Sequence, residues 1–269
     1  MLRVGLIGYG AIGKDLATYF DGSKHELDAE IAGILVRSPE KVQEPPYERC
    51  VITNKEDVFF GLNLDVVIEA AGHHSVELYG EKALLNGCHL IIVSVGALTD
   101  DNLFSSLKKA AMSSHKQLII PSAAIAGLDR IHAAANHTLH EVRLVSRKPP
   151  RAWYGTFVEE KVDLATISEP VCVFSGNARE SAKLFPESVN VSAALSLAGI
   201  GFEETKVQVY VDPSIERNSH EITAKGHFGE VSVKVQNTPL ADNPKSSYIV
   251  SMSIVKALKS LQSPVVIGV

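Results

Sequence analysis

The sequence predicts an α/β protein, with a doubly wound parallel sheet joined to an α+β domain whose sheet is mostly antiparallel. Three observations carry that reading. Short apolar runs alternate with helical spacing through the first half. A glycine-rich turn separates the first such run from the first helix. The second half changes to strands with period-two alternation.

Taken in order, LRVGLIG (2–8) is a buried strand, and AIGKDLATYF (11–20) has helical spacing through Ile12, Leu16, Ala17 and Phe20. AEIAGILV (29–36), LDVVIEAAG (64–72), CHLIIVSVG (88–96) and KQLIIPSAA (116–124) are four more strands, apolar and rich in β-branched residues. Helices fall between them at SVELYGEKALLNG (75–87), stopped by Gly87, and at DDNLFSSLKKAAMSS (100–114), opened by acidic caps. Continuous apolar strands separated by helices imply a parallel sheet covered on both faces.

In the second half EVRLVSRKPP, EPVCVFSG, TKVQVYVDP, HEITAKG and EVSVKVQNTP read as strands. Val207, Val209 and Val211 share one face, as do Val231, Val233 and Val235. NARESAKLF (177–185) and VNVSAALSLAG (189–199) are helical. The last segment, KSSYIVSMSIVKALKSL (245–261), reads as a helix after Pro244 that returns to the first domain. The expected domains are therefore 1–124 completed by 244–269, and 125–243.

A chain of 269 residues has room for two such domains, and 45% hydrophobic with 21% charged residues is ordinary globular composition. The formal net charge of −5, without a basic block, argues against a nucleic-acid partner. Three widely spaced cysteines, Cys50, Cys88 and Cys172, suit free thiols in a reducing compartment. The N-terminal apolar run ends in glycines rather than a cleavage site, and no stretch approaches the roughly 20 apolar residues of a membrane span. The expected setting is cytoplasmic, with no membrane partner.

GYGAIG (8–13) matches G-x-G-x-x-G and lies between strand and helix, where the Rossmann dinucleotide fingerprint belongs. Gly8 permits the tight turn, Gly10 admits the pyrophosphate to the backbone, and Gly13 lets helix pack on strand. The first-turn amides, with Ala11 and Ile12 among them, favour an anion. A glycine-rich turn without a ligand is the competing reading. The acid expected about 20 residues on is absent; the second strand ends Leu35-Val36-Arg37-Ser38. Arg37 suits the 2′-phosphate of NADP, because a guanidinium pairs with phosphate, though a solvated strand-end arginine would look the same. The cofactor is expected to be NAD or NADP, with NADP accepted at least as well. Ala70, Ala71 and Gly72, like Ser94, Val95 and Gly96, are small residues at strand ends that leave room for a ring and ribose, or simply pack.

Asp212, Asn218 and His220 gather in DPSIERNSHEI (212–222), a turn leading into a strand. With an unperturbed pKa of about 6.5, a histidine moves protons in both directions near neutrality. The other histidines read as non-catalytic. His73-His74 reads as loop, while His132, His137 and His140 lie along one helical stretch with no cysteine or acid to complete a metal set. No metal is expected.

With GYGAIG, EAAG, SVGALTD, PSAAIAGLD, RKPP, FPESVNVSAALSLAG, DPSIERNSHEI and NPKSS present in family order, the chain resembles the L-aspartate dehydrogenase family from near residue 4 to about 250. The resemblance implies a Rossmann domain with an α+β catalytic and oligomerisation domain, usually paired as a homodimer. It implies NAD(P)-dependent oxidation of L-aspartate to iminoaspartate, which hydrolyses to oxaloacetate and ammonia or feeds quinolinate and NAD synthesis. It further implies a catalytic role for His220 and dinucleotide contacts at Ala124 and Asn190. Two positions depart from the family pattern. Ser122-Ala123-Ala124 stands for Ser-Gly-Ala, so Ala123 requires ordinary backbone or some strain, and Ser188-Val189-Asn190 stands for Asn-Val-Asn, which removes an amide.

A dicarboxylate substrate needs cations or amide donors. Candidates are Lys148, with Arg147 beside it, Asn218, and Asn243, Lys245, Ser246 and Ser247 of DNPKSS, against a reading as solvated residues and a helix cap. Asp212 either stabilises its turn or orients His220. Two other functions remain open on sequence. One is a reductase of another small carboxylate such as dihydrodipicolinate, and the other is a dinucleotide-sensing protein without turnover.

Overall fold

The structure, a computed structural model, describes residues 1–20, 27–43, 45–46, 49–185, 189–241 and 243–268. The chain divides into two compact units, Met1–Ala123 with Tyr248–Val269, and Ala124–Ser247.

The first unit holds strands β1 (Leu2–Ile7), β2 (Ala29–Leu35), β3 (Val51–Thr53), β4 (Val66–Glu69), β5 (His89–Ile92) and β6 (Leu118–Ile119). They form one sheet in the order β3-β2-β1-β4-β5-β6, every pairing parallel. Helices α1 (Ala11–Ala17), α2 (Glu56–Phe60), α3 (His73–Leu85) and α4 (Asp101–Ser114) belong to the same unit. The strand order reverses between β1 and β4, which is where open parallel sheets place ligands. The fold class read from the sequence is the one observed.

Short elements are what the sequence reading overlooked. The three residues of β3 and the five of α2 carry too little periodicity to stand out. The run 116–124 pairs only at Leu118 and Ile119, on the sheet edge, and Pro121 beyond them has no N–H to offer a ladder. His73 and His74, expected in a loop, open α3 instead, behind Gly72 at φ +110. Local signals set α4 well: the Asp100 carboxylate accepts from the amides of Asn102 and Leu103 at 2.8 and 3.1 Å.

The core beneath β1 and β4 includes Val4, Leu6, Leu16, Ile31, Ile34, Val66, Ile68 and Ile91. Val250, Ile254, Val255 and Leu258 of α8 (Tyr248–Gln262) complete it. Each such side chain, taken fully out of water, contributes about 1.5–3 kcal/mol, so the C-terminal helix is an integral part of this unit.

The second unit holds α5 (Leu128–Ala134), β7 (Leu139–Lys148), β8 (Val171–Asn177), α6 (Ala178–Leu184), α7 (Val189–Ala198), β9 (Lys206–Val211), β10 (Ser219–Gly226) and β11 (Gly229–Gln236). Their sheet runs β11-β10-β7-β9-β8, antiparallel except for β7 with β9. Alternation along β9 buries Val207, Val209 and Val211. A two-stranded ribbon, β12 (Pro239–Leu240) with β13 (Asn243–Ser247), closes the unit. The sequence predicts helix from 245, but pairing with β12 holds the chain extended through Ser247 and helix begins at Tyr248. The three histidines expected on one helix are also separated. His132 is on α5, His140 is on β7, and His137 lies between them, its ring stacked on His227 at 3.9 Å.

Ala123 has φ +47, a left-handed conformation that costs a side chain with a Cβ about 1–2 kcal/mol. Its amide donates to the Ser253 hydroxyl at 3.2 Å, which helps hold it there. Ala123→Gly is therefore expected to stabilise the fold by about 0.5–1 kcal/mol, the relieved strain exceeding the entropy glycine adds to the unfolded chain. A urea midpoint raised at constant m-value would show it, and a lowered midpoint would contradict it. The other departure, Ser188, lies outside the described residues.

Candidate active site

The dinucleotide candidates of the first unit gather where β1, β2 and β4 end. Gly8 has φ +91, and a Cβ there would sit 2.8 Å from the Ala71 Cβ and 2.9 Å from the Ala70 carbonyl oxygen. A Cβ on Gly13 would meet the Gly8 carbonyl oxygen at 2.8 Å. Gly10 is different in kind. Nothing lies within 4 Å of a Cβ built on it, so this glycine leaves open space beside the first turn of α1. The first i→i−4 donor of that helix is Lys14, to the Gly10 carbonyl at 2.9 Å, which leaves the amides of Ala11, Ile12 and Gly13 ahead of the ladder. An open cradle edged by first-turn amides fits a pyrophosphate. The amide of Gly8 is tied to the Leu35 carbonyl at 2.9 Å, so the end of β2 lies alongside, and Arg37 just beyond it is exposed.

Glu69 was not among the residues the sequence singled out. It ends β4 at 1% exposure and gathers the strand-end loops around it. Its Oε1 accepts from the amides of Ala71 and Gly72 at 2.8 and 2.9 Å, and lies 2.6 Å from the Ser75 hydroxyl and 3.0 Å from that of Ser94. Its Oε2 accepts from the Ser94 amide at 3.1 Å. One signal could have found it, namely a lone acid closing the otherwise apolar VVIE.

In the second unit the register of β7 against β10 builds the other site. His220 faces Ser146, and its Nδ1 lies 2.9 Å from the Ser146 hydroxyl. Strand alternation puts Lys148, two residues from Ser146, on that same face. His220 is 6% exposed, and burial, followed by the Lys148 ammonium, pushes its pKa down from the ordinary 6.5 to about 4. The ring is thus neutral at physiological pH. Among the described residues no hydrogen bond occupies Nε2.

Arg147, one residue away, falls on the opposite face. Its guanidinium stacks over Tyr210 at 4.4 Å and pairs with Asp212 at 3.3 Å. Asp212 does not orient the histidine, since its Oδ1 takes the amide and hydroxyl of Ser214 at 3.0 and 2.6 Å. Burial alone would raise its pKa, but the Ser214 bonds and the Arg147 guanidinium outweigh that and hold the carboxyl below its usual range. Lys148 carries its ammonium over the Trp153 ring at 5.1 Å. Asn218 immediately precedes β10, partly buried. Asn243, Ser246 and Ser247 lie along β13, with Ser247 buried, and no described hydrogen bond joins them to His220. Ala124 accepts through its carbonyl from the Asn237 side chain at 2.7 Å, and Asn190 sits in the first turn of α7. Among the described residues no group of three or more His, Cys, Asp or Glu side chains could hold a metal, and no described helix is long and apolar enough to cross a membrane.

Residues 129–261 match the family described as Aspartate dehydrogenase, C-terminal, and residues 8–121 match that described as Homoserine dehydrogenase, NAD binding domain. An L-aspartate dehydrogenase of Methanosarcina barkeri is 40% identical over 275 residues, covering 100% of both chains. The chain belongs to the L-aspartate dehydrogenase family. A family member of known structure, the aspartate dehydrogenase of Thermotoga maritima, superposes with a TM-score of 0.80 at 25% identity over 100% of both chains. A dihydrodipicolinate reductase from Paenisporosarcina sp. TG-14 reaches a TM-score of 0.55 at 12% identity over 97% of this chain and 94% of that one, and so shares the fold alone. Ser146 and Glu69 are site residues that the sequence reading did not single out, although Glu69 opens the EAAG block.

Proposed function

We propose that this protein oxidises L-aspartate to iminoaspartate with NAD or NADP as hydride acceptor, and that His220 is its acid/base. The observation that carries the reading is the buried, neutral imidazole held by Ser146 beside Lys148, in a chain of this family. When bound, the dinucleotide supplies the acceptor for the hydride that leaves Cα. The residues that would hold it are Gly8, Gly10, Ala11, Ile12, Gly13, Ala71 and Gly72, with Ala124 and Asn190 as further contacts.

The ring has to take a proton from the substrate amine as Cα loses its hydride. With Nδ1–H donating to the Ser146 hydroxyl, the Nε2 lone pair is free for that proton. Lys148 pairs with a substrate carboxylate, Asn218, Asn243, Ser246 and Ser247 being weaker candidates for the remaining oxygens. That pairing also serves the base. In the free protein burial, followed by the ammonium, holds the ring's pKa low, and a carboxylate on Lys148 offsets the second of these and helps the ring keep the proton it takes. Once that proton has gone to solvent, Nε2 accepts one from the water that attacks the imine carbon and returns it to the nitrogen, so that the carbinolamine collapses to oxaloacetate and ammonia. Iminoaspartate that escapes hydrolysis would supply a quinolinate-forming step of NAD synthesis.

The deciding experiment is an NAD(P)H absorbance assay with L-aspartate, run in reverse with oxaloacetate and ammonia. Silence in both directions with both coenzymes would defeat the reading and favour a dinucleotide-sensing protein. Exposed Arg37 at the end of β2 supports NADP binding at least as tight as NAD binding. Arg37→Ala is expected to weaken NADP about tenfold, the worth of one charged hydrogen bond, with NAD affinity held. Equal losses for both coenzymes in a fluorescence titration would remove Arg37 from the site. The expected assembly is a cytoplasmic homodimer, supported by the family resemblance and tested by sedimentation equilibrium.

A further inference from the structure

A carboxylate at 1% exposure costs several kcal/mol to bury unless it is well compensated. Glu69 is compensated by dipoles only. Its neighbours are the amides of Ala71, Gly72 and Ser94 and the hydroxyls of Ser75 and Ser94, and among the described residues no Lys, Arg or His pairs with it. A glutamine could not take its place unchanged, because both oxygens accept and an amide nitrogen in the position of Oε2 would face the Ser94 N–H donor to donor. What a carboxylate without a cation can act on at this point of the fold is therefore the feature to explain.

Its place in the fold suggests the explanation. Glu69 is the last residue of β4, at the point where the strand order reverses beside β1. The loop it anchors abuts the glycine turn, for a Cβ on Gly8 would strike Ala71. Ligands of such sheets lie outside the strand carboxyl ends at this reversal. A nicotinamide ring carries a positive charge when oxidised and none when reduced.

We propose that Glu69 is a positioning and charge-setting residue for the cofactor. It fixes the Ala71-Gly72 loop against the Gly8 turn, and its buried carboxylate stabilises the oxidised dinucleotide over the reduced one. This rests on the dinucleotide reading given above. A dehydrogenase working in the oxidative direction gains from that bias, because the oxidised form is then held in place ahead of turnover.

The test is equilibrium binding of NAD(P)+ and NAD(P)H to the full-length protein, with the unfolding midpoint recorded for each variant. Glu69→Gln is expected to weaken the oxidised form roughly tenfold more than the reduced one, the effect of removing one charge at close range in a partly screened site. Equal weakening of both forms, or no change, would reduce Glu69 to a structural residue and overturn the proposal. Should Glu69→Gln fail to fold, Ser94→Ala decides. It removes one compensating hydroxyl while keeping the charge, so the preference for the oxidised form should rise. A preference that is unchanged or lower in Ser94→Ala overturns the proposal. Binding of neither form by the unmodified protein is a separate result that sinks the dinucleotide reading itself.

Discussion

His220→Ala is expected to lower kcat about 10²–10⁴-fold, the range lost with a general acid/base, while NAD(P)H affinity holds and the unfolding midpoint falls by the cost of the cavity and the unpaired Ser146 hydroxyl. The expectation follows from the site's construction. Burial and Lys148 keep the ring unprotonated, Ser146 holds Nδ1, and Nε2 is left to exchange a proton. Ser146→Ala should cost less than His220→Ala, since it frees the tautomer without removing the base. Near-normal turnover in His220→Ala would end the assignment and turn attention to Lys148.

The same histidine leaves a mark on stability. Its folded pKa of about 4 lies below the ordinary 6.5, so the unfolded chain binds the proton more readily. The stabilisation due to the neutral buried ring is complete above pH ~6.5 and is lost progressively as pH falls towards ~4. By linkage the loss approaches about 3 kcal/mol. His220→Asn, which cannot titrate, should lack that part of the acid slope in urea unfolding. Parallel slopes for the two proteins would mean that the ring is protonated in the folded state after all.

Gly8→Ala and Gly10→Ala form the second contrast, because the two glycines do different things. At Gly8 a methyl meets Ala71 and the Ala70 carbonyl in a left-handed backbone. That combination of strain and overpacking should cost about 2–4 kcal/mol of stability, with dinucleotide affinity falling alongside. At Gly10 the methyl meets nothing within 4 Å, so the fold should be untouched. It would instead fill space the pyrophosphate needs, and NAD(P)H affinity should fall about tenfold or more, the loss of one good contact. Urea unfolding and a fluorescence titration separate the two. If Gly10→Ala binds the dinucleotide as tightly as the unmodified chain, the cradle is not where the pyrophosphate lies.

Much of the first unit was legible because its signals are local. A strand of β-branched residues, a turn needing glycine at φ +91 and a helix opened by Asp100 are each determined within a few neighbouring residues. The elements that escaped, β3 and α2, are too short to show a period, and β13 is held extended by a partner strand rather than by its own residues. At the site, DPSIERNSHEI pointed to His220, but its Nδ1 partner was out of reach of any motif. Ser146 is 74 positions away and becomes a neighbour only through the pairing of β7 with β10. The same pairing separates Lys148 from Arg147, its neighbour in the sequence. It sends one to the histidine's face and commits the other to Tyr210 and Asp212.

From its sequence, then, this protein could be known to carry a dinucleotide turn, an alternating second sheet and one histidine in a family motif, because these depend on backbone preference and spacing along the chain. The protonation of that histidine, the residue that holds it and the buried charge at Glu69 depend on strand register and exclusion of water. Both arise from contacts between distant segments, and for that reason they became visible only once the chain was folded.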